Sequence, residues 1–147
     1  MAYCVQSDIE KAVTAEVVVE LSDDDADGTA DTAVVAWAIE AADELIDGKL
    51  NSRYAVPFTT VPPLIKHLSA DLAAYNLALR RQRTAGSIEE RYKAAIKLLE
   101  ALAEGSIALI GIALASGKPA VSKDVDADRK FTMGRDDSGT TGTLDNY

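Results

Sequence analysis

The sequence predicts an all-α fold: a small helical bundle with two short N-terminal helices, three longer helices and an extended C-terminal tail. Apolar residues recur at helical spacing in three long segments, whereas the last stretch of roughly thirty residues holds almost no core material. The chain has 147 residues, the size of one ordinary domain, and 48% of them are hydrophobic, which suffices for a core. We expect residues 1–105 to form the helical bundle domain. Residues 106–147 should form an apolar contact segment and a flexible C-terminal tail.

The two short helices are expected close to the N-terminus. Ser7 and Glu10 have the spacing of a capping box, so the first helix should begin at Ser7. A second helix, or a continuation of the first, should cover about residues 15–21. Its three consecutive valines lower the helical preference, and a strand is the competing interpretation of that triplet.

Three longer helices are predicted after residue 31. The first should run from about residue 32 to 53, with Asp31 as its N-cap and a wide apolar face. The second should run from about 61 to 82, because its two prolines are tolerated in a first turn. Another capping box, from Ser87 to Glu90, predicts the third helix, which should end near 104 with Gly105 as its C-cap.

The apolar run over residues 107–115 is interrupted by glycine. It is compatible with a strand or with an extended contact segment. The run is about half as long as a membrane-spanning helix, so no membrane contact is expected. Because the first residues lack a basic and then apolar signal sequence, we expect a soluble protein made in the cytoplasm.

The net charge of −9 argues against a nucleic-acid-binding module, which needs a basic face. The charge is also unevenly distributed. Residues 1–60 hold 13 acids and 3 bases, residues 61–116 hold 5 acids and 7 bases, and residues 117–147 hold 6 acids and 5 bases. This asymmetry predicts either one strongly acidic surface or contacts between the acidic half of one copy and the basic middle of another.

The composition offers little for catalysis. A single cysteine, Cys4, excludes an intramolecular disulfide and a cysteine-rich zinc site. A single histidine, His67, makes a Ser-His-Asp enzyme improbable, and we interpret it as a half-exposed structural residue. The sequence has no P-loop, GxGxxG, HExxH or GxSxG motif. We therefore expect a protein that is not an enzyme and that needs no cofactor, apart from a weakly held divalent cation.

The acidic segment 22–31 suggests where such a cation would bind. Asp23-x-Asp25-x-Asp27-Gly28 matches the first half of an EF-hand calcium loop, in which alternate carboxylates converge on one ion. The twelfth position, which should supply a bidentate Glu, is Val34, so a site here would be weak. The competing interpretation is a solvated acidic turn that caps the next helix. The candidate ligands for Ca²⁺ or Mg²⁺ are Asp23, Asp25, Asp27, Thr29 and Asp31.

Two further features are candidates for subunit contacts. Arg80, Arg81 and Arg83 end a predicted helix, where cations complement the helix dipole. They could instead contact an acidic neighbouring subunit, and DNA contact is the weakest of the three interpretations. Trp37 lies on the flank of the apolar stripe of its helix. It is expected either to pack under a loop or to anchor an interface.

Several short motifs occur along the chain in a characteristic order and spacing. They are Met1-Ala2-Tyr3-x-x-Gln6-x-Asp8-Ile9, the Leu21 to Asp31 loop, Ile46-Asp47-Gly48-x-Leu50-x-x-Arg53-Tyr54, Val56-Pro57 and Val61-Pro62-Pro63-Leu64. Over residues 1–115 the chain thereby resembles a family of phage Mu-like virion proteins, long catalogued as a domain of unknown function. That family is similar to the head–tail connector (adaptor) proteins of long-tailed phages. At the other end, Phe131, Arg135, Leu144 and Tyr147 resemble the aromatic–Arg–Leu–aromatic pattern of the family's C-terminus.

The resemblance implies a structural role in the virion at the head–tail junction. Adaptor proteins are mostly helical, and they form a homo-oligomeric ring under the portal protein around the channel through which DNA leaves. They are often monomeric in isolation, and their tails order on docking. The implied partners are the portal and a tail-side completion or stopper protein, with DNA passing through without sequence-specific binding. Trp37, the three arginines and the four C-terminal residues named above are then the candidate interface residues.

Two other functions remain open from the sequence. One is a small calcium-dependent helical binding module that uses the Asp23 to Asp31 loop. The other is a helical DNA-packaging or regulatory protein, for which salt-dependent DNA binding would be expected.

Overall fold

A computed structural model describes residues 2–83, 86–112 and 114–115. Five α-helices follow one another in these ranges: α1 (Gln6–Val13), α2 (Ala15–Ser22), α3 (Thr32–Leu50), α4 (Pro63–Arg80) and α5 (Gly86–Glu104). The all-α prediction is confirmed, and the valine triplet lies in a helix rather than a strand. None of the helices in the described part of the chain combines the length and apolarity that crossing a membrane requires.

Helix α4 is the centre of the bundle. It packs against α1, α2, α3 and α5, and its buried residues spread over more than one face. Four of them are alanines, whose small side chains let neighbouring helices approach closely. The larger buried side chains are those of Ile65, Leu68, Leu72 and Leu77. A helix covered on several sides is stable only inside a bundle, so α4 depends on its neighbours.

The starts of α1 and α5 differ from the sequence prediction. Helix α1 begins at Gln6 with Val5 as its N-cap, so the predicted Ser7 cap is wrong. The Asp8 carboxylate accepts the Val5 N–H at 3.2 Å, because Asp8 is the acid that stands three residues after the cap. Helix α5 begins at Gly86, which places Ser87 inside the helix rather than at its cap.

Asp31 occupies the N-cap position of α3 as predicted, but its side chain makes no capping hydrogen bond. Its carboxylate instead accepts the N–H of Asp24 at 3.0 Å. The Asp31 carboxylate therefore stabilises the loop before α3 instead of capping the helix as the sequence predicted.

The segment after α5 packs against the turn that follows α3. Leu109 is buried, and its N–H donates to the Tyr54 hydroxyl at 3.1 Å. The Ala115 N–H donates to the Arg53 carbonyl at 3.0 Å, next to an isolated antiparallel bridge between Tyr54 and Leu114. Of the two alternatives left open by the sequence, the described residues form a contact segment, with a turn at Ile110 and Gly111, rather than a strand of a sheet.

Gly105 is the predicted C-cap of α5, and this prediction is confirmed. Its φ of 89° lies in the left-handed region, and its N–H donates to the Ala101 carbonyl at 3.0 Å. A Cβ at this position would also run into the Arg53 guanidinium. The turn therefore favours glycine for both backbone and steric reasons.

We expect Gly105→Ala to lower the free energy of unfolding by about 1 to 2 kcal/mol, because the left-handed conformation strains an alanine. Thermal and urea denaturation followed by circular dichroism measures the change. The matched control is Gly48→Ala inside α3, where a Cβ meets no atom within 4 Å. That variant should gain up to about 1 kcal/mol in helix propensity. Equal effects of the two substitutions would contradict this account of the Gly105 turn.

Candidate functional site

The acidic loop between α2 and α3 is organised by Asp23. Its carboxylate accepts the backbone N–H groups of Ala26 at 2.7 Å, Asp27 at 3.3 Å and Gly28 at 2.9 Å. Ala26 and Gly28 have positive φ values of 61° and 82°, which fold the loop back over this carboxylate. The loop is therefore an ordered turn built around one side chain.

Three of the five predicted cation ligands converge. One carboxylate oxygen from each of Asp23, Asp25 and Asp27 lies within 4.8 Å of the others. The two remaining candidates bond inside the loop, since Asp31 accepts from Asp24 and the Thr29 hydroxyl donates to Asp27 at 2.6 Å. This arrangement offers hard oxygen ligands, as Ca²⁺ and Mg²⁺ require, but at three positions only.

Mutual repulsion and hydrogen bonding shift the pKa values of the loop carboxylates in opposite directions. The charge of Asp27 raises the pKa of Asp25 above its ordinary value. Hydrogen bonds from the Thr29 hydroxyl and N–H lower the pKa of Asp27. Ionisation of the Asp25 carboxylate is therefore disfavoured by the neighbouring charges of the cluster.

The arginines at the end of α4 contact the acidic loop of their own chain. Arg80 and Arg81 both form ion pairs with Asp24, the latter at 3.0 Å. Arg81 also donates to the carbonyl oxygens of Leu21 and Asp23. The hydrogen bond from Arg80 lowers the pKa of Asp24 below its ordinary value. The loop is thus bound to the C-terminal end of α4.

This contact joins the acidic and basic parts of the sequence within one molecule. Arg83 pairs with Glu20 in α2, and Lys66 near the start of α4 pairs with Asp8 in α1 at 3.0 Å. The sequence suggested that acidic and basic regions of different copies would pair. The described residues show that these regions pair inside one chain.

The other sequence candidates are widely separated. The Trp37 side chain on α3 is 50% exposed, so it is available to a partner. Cys4 is a free thiol as expected, but it is buried, and burial raises its pKa to about 11. His67 is exposed. Four interface candidates lie outside the described residues: Phe131, Arg135, Leu144 and Tyr147.

Sequence reasoning missed a buried polar network that fixes the N-terminal segment on α3. The Asp43 carboxylate accepts the Tyr3 N–H at 2.9 Å and the Ser69 hydroxyl at 2.7 Å. The Tyr3 hydroxyl donates to Asp47 and accepts the Phe58 N–H at 3.1 Å. Burial raises the pKa of Asp43. The signal was present in the sequence, because Asp43 follows Ile39 by four residues and so falls on the apolar stripe of α3.

We expect Asp24→Asn and Asp25→Asn to change stability in opposite directions at pH 7. The lowered pKa of Asp24 means that its charge stabilises the fold above pH 3.8, and this contribution is lost as the pH falls through the lowered value. The raised pKa of Asp25 means that its charge costs stability as the pH rises above 3.8. Asp24→Asn should lower the melting temperature and Asp25→Asn should raise it, with both differences vanishing in acid. A decrease of similar size in both variants would contradict the assignment.

Comparison with known proteins places these features in a family. Residues 3–126 match the family described as "Bacteriophage Mu, Gp36". The chain is also 34% identical over 79 residues to the Mu-like prophage FluMu protein gp36 of Haemophilus influenzae. That match covers 54% of this chain and 55% of the relative, so the chain spans about half the length of the curated relative it matches. Because the family match extends from the Tyr3 anchor through the acidic loop and the arginines to beyond the contact segment, this protein belongs to the bacteriophage Mu Gp36 family.

Proposed function

We propose that this protein is a head–tail connector (adaptor) of a phage or prophage virion. The observation that carries the proposal is the family match over residues 3–126. In the proposed role the protein is made in the bacterial cytoplasm, is monomeric in isolation and joins the virion at the head–tail junction. There it binds the portal protein, forms a homo-oligomeric ring around the DNA exit channel, and receives a tail-side completion or stopper protein.

The side-chain chemistry of the described residues supports a non-enzymatic role. Ser69 donates to the buried Asp43 carboxylate and lies beside Cys4, and both residues are themselves buried. The high pKa of Cys4 keeps its thiol protonated, and the Ser69 hydroxyl is committed to Asp43. These two groups therefore support the packing of the N-terminal segment against α3 and α4 rather than acting as activated nucleophiles.

The acidic loop fits a surface past which DNA slides. Asp25 and Asp27 are exposed at its tip, while Asp24 faces the arginines of α4. Like charges on protein and DNA prevent the phosphate contacts that would retain the duplex. We therefore place the tip of the loop towards the channel and Trp37 among the residues that contact the portal or a neighbouring subunit.

Portal binding tests this role directly. Purified full-length protein mixed with the portal of the same phage should add a ring at the tail-side end, visible by electron microscopy. Trp37→Ala should weaken this association by about tenfold, because an exposed tryptophan is a frequent interface anchor. The matched control is Leu79→Ala, a substitution at a side chain that is 54% exposed on α4. Failure of the unmodified protein to bind the portal would contradict the proposed function.

The calcium-dependent binding module is the second candidate, and the convergence of Asp23, Asp25 and Asp27 within 4.8 Å is the observation in its favour. Calorimetry separates the two roles. A connector whose loop lacks a twelfth-position carboxylate should bind Ca²⁺ no more tightly than about the millimolar range. Sub-millimolar binding that raises the melting temperature and is lost in Asp25→Asn would favour the calcium module instead.

A further inference from the structure

An open groove of about 560 Å³ lies between the N-terminal segment and α3. Its apolar floor includes the buried side chains of Val35 and Ile39. Its rim is acidic and includes Glu40, Glu44 and Asp47. Among the described residues that line the groove, none is basic. The groove therefore fits a ligand that combines cationic groups with apolar side chains.

The acids that line the groove differ in exposure and in the hydrogen bonds that they already accept within the chain. Glu40 and Glu44 are exposed and stand one helical turn apart on α3. The Asp47 carboxylate accepts a hydrogen bond from the Tyr3 hydroxyl. Asp43, which also lines the groove, accepts hydrogen bonds from the Tyr3 N–H and the Ser69 hydroxyl. The Glu40 and Glu44 carboxylates are thus the charges most available to a cationic partner.

One segment of the chain beyond the described residues has the complementary chemistry. Residues 129–135 read Arg-Lys-Phe-Thr-Met-Gly-Arg, with three bases, no acid, and Phe131 and Met133 at alternate positions. The segment is bounded by acids on both sides, since Asp128 precedes it and Asp136 follows it. It is the most basic stretch of residues 117–147, which hold 5 bases against 6 acids in all.

The chain leaves the described structure beside the turn after α3, which a run of aromatic rings connects to the groove. Ala115 is hydrogen-bonded to Arg53, beside Tyr54. The ring centroids of Tyr54 and Phe58 lie 6.3 Å apart and those of Phe58 and Tyr3 lie 5.6 Å apart. Because the Tyr3 hydroxyl bonds to Asp47, this run of aromatic rings leads to the Asp47 end of the groove.

The lengths are compatible with binding in the same molecule. The linker between Ala115 and Arg129 can span up to about 43 Å when extended. Along α3 the groove runs from Thr32 to Asp47, a helical rise of about 22 Å. Seven extended residues cover about 23 Å, so residues 129–135 match the groove in length.

We propose that residues 129–135 bind in the α3 groove of their own chain. Their cationic side chains pair with the Glu40 and Glu44 rim, and Phe131 and Met133 pack on the apolar floor. The contact is independent of the connector role, since it requires only the groove and the C-terminal segment. It assigns Phe131 and Arg135, which the sequence marked as interface residues, a partner surface within the chain.

Carbodiimide cross-linking of the full-length protein tests the proposal, because this reagent joins a lysine to a carboxylate in direct contact. Lys130 should be linked to Glu40 or Glu44, as read by mass spectrometry of the digested protein. Ala36→Arg, in the lining of the groove, adds bulk and positive charge and should lower the yield by about tenfold. Ala33→Arg is the matched control, because Ala33 is exposed on α3 outside the groove lining, and its yield should be unchanged. Circular dichroism verifies that both variants are folded.

A second variant tests the segment itself. Phe131→Ala should lower the Lys130 cross-link yield about threefold through loss of apolar packing, whereas Leu144→Ala should not. Equal yields of Lys130 with Glu90 and Glu104, which are exposed on α5, would overturn the proposal. An equal mixture of ¹⁵N-labelled and unlabelled protein identifies the chain involved. Cross-links that join labelled to unlabelled peptides would overturn binding within one chain and assign the groove to a neighbouring copy.

Discussion

Helix α4 has buried residues on several faces, so its stability depends on the helices that cover it. Helices α1, α2, α3 and α5 all pack on it, and each has only part of its own surface buried. This one constraint orders the rest of the molecule. The short helices α1 and α2, which would be marginal in water by themselves, are held because they cover apolar residues of α4.

The same packing makes a buried acid tolerable. Asp43 lies on the covered face of α3 and would be costly without partners. The Tyr3 N–H and the Ser69 hydroxyl supply two hydrogen bonds, one from the N-terminal segment and one from α4. Because Asp43 is costly to bury without these partners, its hydrogen bonds fix the N-terminal segment on the bundle. One wall of the α3 groove exists because of this anchor.

The fold also determines which charged residues pair with one another. The arginines at the end of α4 pair with acids of α2 and of the loop before α3, so much of the basic middle is neutralised inside one molecule. The exposed acids include those at the tip of the loop and those on the rim of the groove. These two acidic surfaces and the exposed Trp37 are the candidate contact surfaces of the proposed connector role.

The sequence by itself determined the number of helices, their approximate bounds and the Gly105 turn, because helical periodicity and positive φ are local properties. It also gave the resemblance to a phage family, which the match over residues 3–126 confirmed. Tertiary structure alone decided the packing of Leu109 and Ala115 against the turn after α3 and the partners that bind Asp43. It also decided that Asp24 faces Arg80. Each of these depends on a partner elsewhere: Asp24 and Arg80 are 56 residues apart, and Leu109 and Tyr54 are 55 apart. Such contacts join residues that are far apart in the sequence, so no local pattern could specify them.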